Sequence, residues 1–246
     1  MSVSLAAQSG EQSAPALTYE QLVKAAKVYF RDTAEFPMMQ DMTFTVLDRS
    51  GRVRQTRKQL VEYLFNGYNS GKQTASGHVS GEVGFWAALR GAKMVKASLN
   101  SAFWIMAPGL EVYSPTDMYD LEMNEHHEDK ELITGKLNRV KACPPFTMKE
   151  NTEMYVPDHP GCNNSEFQLH TEDLSFQRFS FDVIGLPASV RLHPLGDCTL
   201  QRYHAEVEFQ KIILPGDKDP LLVPKQVTAI LETDKGKIVI SSVYER

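Results

Sequence analysis

The amino-acid sequence predicts an α+β fold: one mostly antiparallel sheet with helices packed on one face. Three observations carry that expectation. Apolar residues recur at three- and four-residue steps in two early segments, 18–35 and 84–99. Beyond Leu110 the period changes towards two, and turn residues punctuate the runs. In the segment from 199, Tyr203, Ala205, Val207 and Phe209 alternate with His204, Glu206, Glu208 and Gln210. That pattern belongs to an antiparallel strand with one wet face.

The elements follow in chain order. Gln8 to Pro15 is rich in Ser, Gly, Gln and Pro, so residues 1–17 read as a disordered tail. Ser4-Leu5-Ala6-Ala7-Gln8 has small residues at the spacing of a signal-peptidase site, without the charged and apolar parts of a signal peptide. Two readings stay open: the remnant of an export signal, or a cytosolic tail. Thr18 to Glu35 reads as a helix. Thr18 with Gln21 makes a capping pair, and Leu22, Val23, Ala26, Val28 and Tyr29 form its apolar stripe. Phe36-Pro37 ends it. MTFTVLDRSGRVRQTRKQLVEYLFNGY then reads as two strands joined at Asp48-Arg49-Ser50-Gly51, closed by Asn66-Gly67.

Asn69 to Gly81 is polar and reads as a loop. Gly84 to Leu99 is a second helix, with Phe85, Ala88, Leu89, Ala92, Val95 and Leu99 on one side. Strands are expected at 110–114, 118–123, 132–142, 166–184, 188–193, 199–214, 225–233 and 237–245. Thr233-Asp234-Lys235-Gly236 is the turn between the last two. No linker divides the chain, so 18–246 is expected to be one domain.

Composition excludes some classes. The net charge is −5 with 42% apolar residues. No basic arm is present to neutralise phosphates, so no nucleic-acid partner is expected. No apolar run approaches the roughly 20 residues of a transmembrane helix; the longest is Ala102 to Ala107. One stretch departs from the acidic average: RSGRVRQTRK, with Arg49, Arg52, Arg54, Arg57 and Lys58. On a strand these cations project to both faces. They protect a solvated edge strand against aggregation, or Arg52, Arg54 and Lys58 dock an anionic partner.

Candidate chemistry is sparse. Cys143, Cys162 and Cys198 are an odd count, and Cys162 with Cys198 is the expected disulfide because both lie in loop-like sequence. His159 and Cys162 with His193 and Cys198 carry the ligand types of a closed zinc site. The spacing is not that of common zinc pairs, so no metal is expected and the disulfide is preferred. His126-His127-Glu128-Asp129 reads as a charged turn, since adjacent side chains point apart. No G-x-S-x-G occurs and nothing marks Cys143 as activated. The expectation is a protein that is not an enzyme and needs no cofactor.

A helix ending in TAEF, a hairpin whose second strand ends in LFNGY, an interrupting helix and the closing VPKQVTAILETDKGKIVISSVYER give an order of elements. That order resembles the periplasmic lipoprotein-carrier superfamily, the LolA/LolB-like proteins; residues 140–200 do not map onto it. The resemblance implies a curved antiparallel half-barrel with helices packed on its concave apolar face. It also implies a non-enzymatic, periplasmic or otherwise exported protein. Its partners would be a lipid, an acyl chain or a lipoprotein, with envelope proteins besides. Phe85, Leu89, Phe103, Trp104, Phe176, Phe179 and Phe181 are the cavity candidates, each of which also suits plain core. LSFQRFSFDV, residues 174–183, bears on this: Leu174 and Phe176 keep one phase, Phe179, Phe181 and Val183 the other. A bulge at Arg178-Phe179 would return them to one face; a strand buried on both faces would need none. The alternative to a carrier is an interaction module with a filled interior; a weaker one is a metal-dependent enzyme using His159, Cys162, His193 and Cys198.

Overall fold

A computed structural model describes residues 17–18, 21, 35–66, 79–81, 119–123, 131–140, 142, 163–192 and 195–245. Among them the regular structure is a single sheet of 11 strands. In chain order these are β1 (Glu35–Asp48), β2 (Val53–Asn66), β3 (Val79–Gly81), β4 (Tyr119–Met123), β5 (Leu132–Arg139) and β6 (Asn163–His170). β7 (Phe176–Val183), β8 (Ala188–Leu192), β9 (Gly196–Ile212), β10 (Leu221–Thr233) and β11 (Gly236–Glu245) complete it. The spatial order is β3-β2-β1-β11-β10-β9-β7-β6-β5-β4, and β8 pairs with the start of β9. Every pairing is antiparallel.

The expected fold class is thereby corrected. Among the described residues the fold is an open all-β sheet, not an α+β half-barrel with helices on a concave face. Among the described residues β3 and β4 end the sheet and do not pair with each other, so no strand pairing closes it. The expected helix over 84–99 and strand over 110–114 lie outside the described residues. So does most of 18–35, but its cap is present. Thr18 N donates to Gln21 Oε1 at 2.8 Å, and Gln21 N donates to Thr18 Oγ1 at 3.3 Å. These are the reciprocal bonds of a capping box. The end of the expected helix is strand: β1 already pairs at Glu35↔Asn66 and Phe36↔Phe65. Pro37 disfavours helix at Phe36 and pushes it to extended geometry.

The other correction concerns 166–184, which is two strands. His170 N donates to Ser175 O at 2.9 Å, and Leu174 N donates to His170 O at 2.9 Å. Leu174 takes φ 57° between them, and Asp173 Oδ1 accepts from Ser175 N at 3.0 Å. Asp173 is a favoured turn former, able to cap its own backbone.

Both expected hairpins form. Asp48 Oδ1 accepts from Ser50 N, Ser50 Oγ and Arg52 N at 2.9, 2.6 and 3.0 Å, and Gly51 supplies φ 79°. At the other hairpin, Thr233 Oγ1 accepts from Lys235 N and Gly236 N, both at 3.1 Å. Gly236 lies directly across from Asp48, where a Cβ would run into the Leu47 carbonyl. Only glycine lets β1 approach so closely. This junction seats the N-terminal hairpin against the C-terminal one.

Candidate functional site

One face of the sheet is apolar from β1 across to β4. β1 supplies Met42 and Val46, and β11 supplies Ile238 and Ile240. Val227, Ala229 and Leu231 of β10 stand opposite Val207, Ala205 and Tyr203 of β9. Phe179 and Phe181 of β7 lie against Val207 and Ala205, and Phe167 and Leu169 of β6 come next. Leu137 of β5 with half-buried Leu121 and Met123 of β4 ends the face. Strict alternation produces it, because side chains two apart share a face.

Bulges keep that face continuous. In the β6–β7 pair, Gln168 faces Arg178 and Leu169 faces Phe176, which leaves Gln177 as the extra residue. The slip falls one position before the expected one. Its consequence is the expected one: Phe176, Phe179 and Phe181 share the buried face, each at most 2% exposed. Leu174 belongs to the turn. β9 repeats the device, since Glu232 faces Arg202 while Thr233 faces Leu200. Leu200 and Tyr203 therefore stay on one side.

The aromatic part of this face is packed. Phe176 meets Phe167 at 6.3 Å and Phe209 at 6.4 Å between ring centroids, both edge to face. Phe181 and Tyr203 are 6.2 Å apart. Such pairs contribute about 1 kcal/mol each beyond area burial. Gly135 faces Phe167 across the strands, and a Cβ there would collide with the Phe167 ring. The glycine leaves room for that ring over β5. Phe167 escaped the sequence reading, although Ser165, Phe167 and Leu169 alternate; the misjudged single strand hid them. At the β1 end the face turns polar: Gln40 Nε2 donates to Ser242 Oγ at 2.9 Å and Tyr244 Oη at 3.2 Å.

The opposite face is charged and paired. Lys136 meets Glu166 at 2.7 Å, Arg202 meets Asp182 at 3.0 Å and Lys237 meets Glu232 at 3.1 Å. Arg178 binds Glu206, and His204 Nδ1 lies 3.2 Å from Asp182. A shallow groove of about 240 Å³ crosses β5, β6 and β7 here, lined by Thr134, Lys136, Glu166, Gln168, Arg178 and Ser180. Both of its cations already hold carboxylates, so it presents no vacant charge.

The remaining expected site residues divide. Phe85, Leu89, Phe103 and Trp104 lie outside the described residues, as do His126, His127, Cys143, His159, Cys162 and His193. Cys198 is a buried thiol within β9, not the loop cysteine expected, and its expected partner Cys162 lies outside the described residues. Burial pushes its pKa up, and nearby Asp234 adds to the shift. Among the described residues no group of three metal-ligating side chains occurs, and no helix is long and apolar enough to cross a membrane. Arg52, Arg54 and Lys58 all sit at the exposed β2 end of the sheet.

No family model matches the chain, and no curated protein sequence matches it. Its structure has a remote resemblance to LolA/LolB-like periplasmic lipoprotein-sorting proteins. A LolA superfamily protein from Nitrosomonas europaea is similar at 11% identity and a TM-score of 0.36, over 94% of this chain and 93% of that one. A DUF1329 family protein from Desulfovibrio piger is similar at 9% identity and a TM-score of 0.35, over 93% and 90%. At that distance the likeness assigns no residue a role.

Proposed function

We propose that this chain is a non-enzymatic binding protein of the cell envelope. Residues 18–246 would form one domain that takes up an acyl chain, a lipid or the lipid-modified end of a protein. The observation that carries the reading is the one-sided sheet: apolar residues from β1 to β4 on one face, paired charges on the other. Burial of each methylene contributes about 0.8 kcal/mol, so an acyl chain needs no charged contact. The packed phenylalanines leave it little room between them. The ligand would meet the half-buried margin at Leu121, Met123 and Ile133, with Phe85, Leu89, Phe103 and Trp104 as further contacts.

The packing of Phe176, Phe179 and Phe181 also favours a second reading, an interaction module with a filled core. Native mass spectrometry of protein made with export and without detergent separates the two. Added mass that organic extraction releases as lipid is the expected result. A bare chain that stays bare with lysolipids and fatty acids overturns the carrier reading and leaves the interaction module.

A further inference from the structure

Among the described residues the two ends of the sheet carry charge of opposite sign. At one end β3 covers only Gln59, Leu60 and Val61 of β2. From Val53 to Lys58, β2 pairs with β1 on one side and with no strand on the other, among the described residues. Alternate peptide groups there point outward. This stretch is flanked by apolar side chains that are 60% (Val53) and 40% (Leu60) exposed. Arg54 is held by Asp48 at 3.0 Å. Arg52 and Lys58 are exposed and form no ion pair among the described residues. At the other end, among the described residues, β4 pairs only with β5. Its Asp120 and Glu122 are exposed and likewise form no ion pair. Lys136, which faces Glu122, is engaged by Glu166 at 2.7 Å. The interior strands thus pair many of their charges across the sheet, while among the described residues these edge charges form no ion pair, Glu122 acting on Lys136 only at longer range.

We infer that the free edge of β2 receives the β4 edge of a second copy of this chain, so that the sheet continues from one molecule into the next. The charges choose this arrangement. A symmetric β2–β2 contact would bring Arg52 and Lys58 against their own kind, and a β4–β4 contact would do the same to Asp120 and Glu122. Like charges on adjacent strands are destabilising and opposite ones favourable. The path from β2 to β4 takes eight antiparallel steps, an even number, so the two strands point the same way. A copy placed with the same face outward therefore adds β4 parallel to β2, with Asp120 and Glu122 on the face that carries Lys58. The contact is heterologous, and copies add head to tail. It leaves the apolar face untouched and does not depend on what that face carries.

Sedimentation velocity on the full chain tests this as protein concentration rises, at about 0.01 M and about 1 M salt, across which the Debye length falls from about 30 to about 3 Å. The expected result is concentration-dependent association at low salt that weakens at high salt. R52E with K58E makes both edges acidic; D120K with E122K makes both basic. Each double variant should lose association by about tenfold or more. An equimolar mixture should regain it, which also shows that both variants are folded. A wild type that stays monomeric throughout, or variants that associate as it does, would overturn the proposal. So would a mixture that fails to recover.

Discussion

The β6–β7–β9 block and the far half of the β1–β2 hairpin are built from the same kind of sequence and end in opposite environments. Both form strands that carry charge: Glu166, Arg178, Asp182 and Glu206 in the one, Arg54, Arg57 and Lys58 in the other. In the block, Phe179 sits 1% exposed between Phe167 and Val207. In the hairpin, Val53 is 60% exposed. The difference is neighbours. A central strand is flanked on both sides, so its apolar row becomes core. An edge strand lacks one flank, and its side chains stay wet on both faces. Alternation specifies a strand; position in the sheet decides what that strand is worth.

Substitutions measure that difference. Phe179→Ala should have the largest effect, a loss of about 3–5 kcal/mol in urea unfolding, because it opens a cavity among packed rings. A loss under about 1 kcal/mol would mean that the block is loosely packed. Gly135→Ala should cost about 1–3 kcal/mol, since the new methyl meets the Phe167 ring. Smaller side chains at position 167 should recover part of that in a double-mutant cycle. Ser242→Ala should cost about 1 kcal/mol, the worth of one acceptor for Gln40.

Effects at the hairpin should be smaller and local. Hydrogen bonds from Ser50, first its side chain, hold the Asp48 pKa below its ordinary value, with Arg52 and Arg54 adding to the shift. A lowered folded pKa stabilises above the unfolded carboxylate pKa, and that stability is lost as pH falls through the folded value. Amide protection at 49–54, taken relative to the intrinsic exchange rate at each pH, should therefore fall on acidification before that of the rest of the sheet, and Asp48→Asn should remove that pH dependence. Val53→Ala should change stability by less than about 0.5 kcal/mol. A larger loss by thermal unfolding would show that β2 has a neighbour in solution.

Much of this fold is legible in the residues. The turns at Asp48–Gly51 and Thr233–Gly236 depend on local hydrogen bonds, which a few residues specify. The Thr18–Gln21 cap is likewise local. The bulge in β7 was visible as a phase slip, though its position was off by one. The turn at 171–174 was not, because Thr-Glu-Asp-Leu lacks the Gly or Pro that usually marks a reversal. Cys198 was misplaced for a related reason: Gly196 and Asp197 look like loop residues but open a strand. The cavity candidates Phe176, Phe179 and Phe181 were identified as a group, whereas their packing on Phe167, Phe209 and Tyr203 was not.

By itself the sequence determined which residues alternate, where most chains of alternation break, and that one side of the strands would be apolar. Those properties follow from local geometry: a period of two, a turn that needs a particular φ, a side chain that caps its own backbone. Only the tertiary structure decided that β1 lies between β2 and β11, that β7 joins β9 past β8, and that the basic strand ends up near one edge and the acidic strand at the other. These pairings link residues some 200 positions apart, as at Gln40 and Ser242. No short window of sequence carries them, because many registers satisfy the same alternation and only the assembled apolar face distinguishes between them.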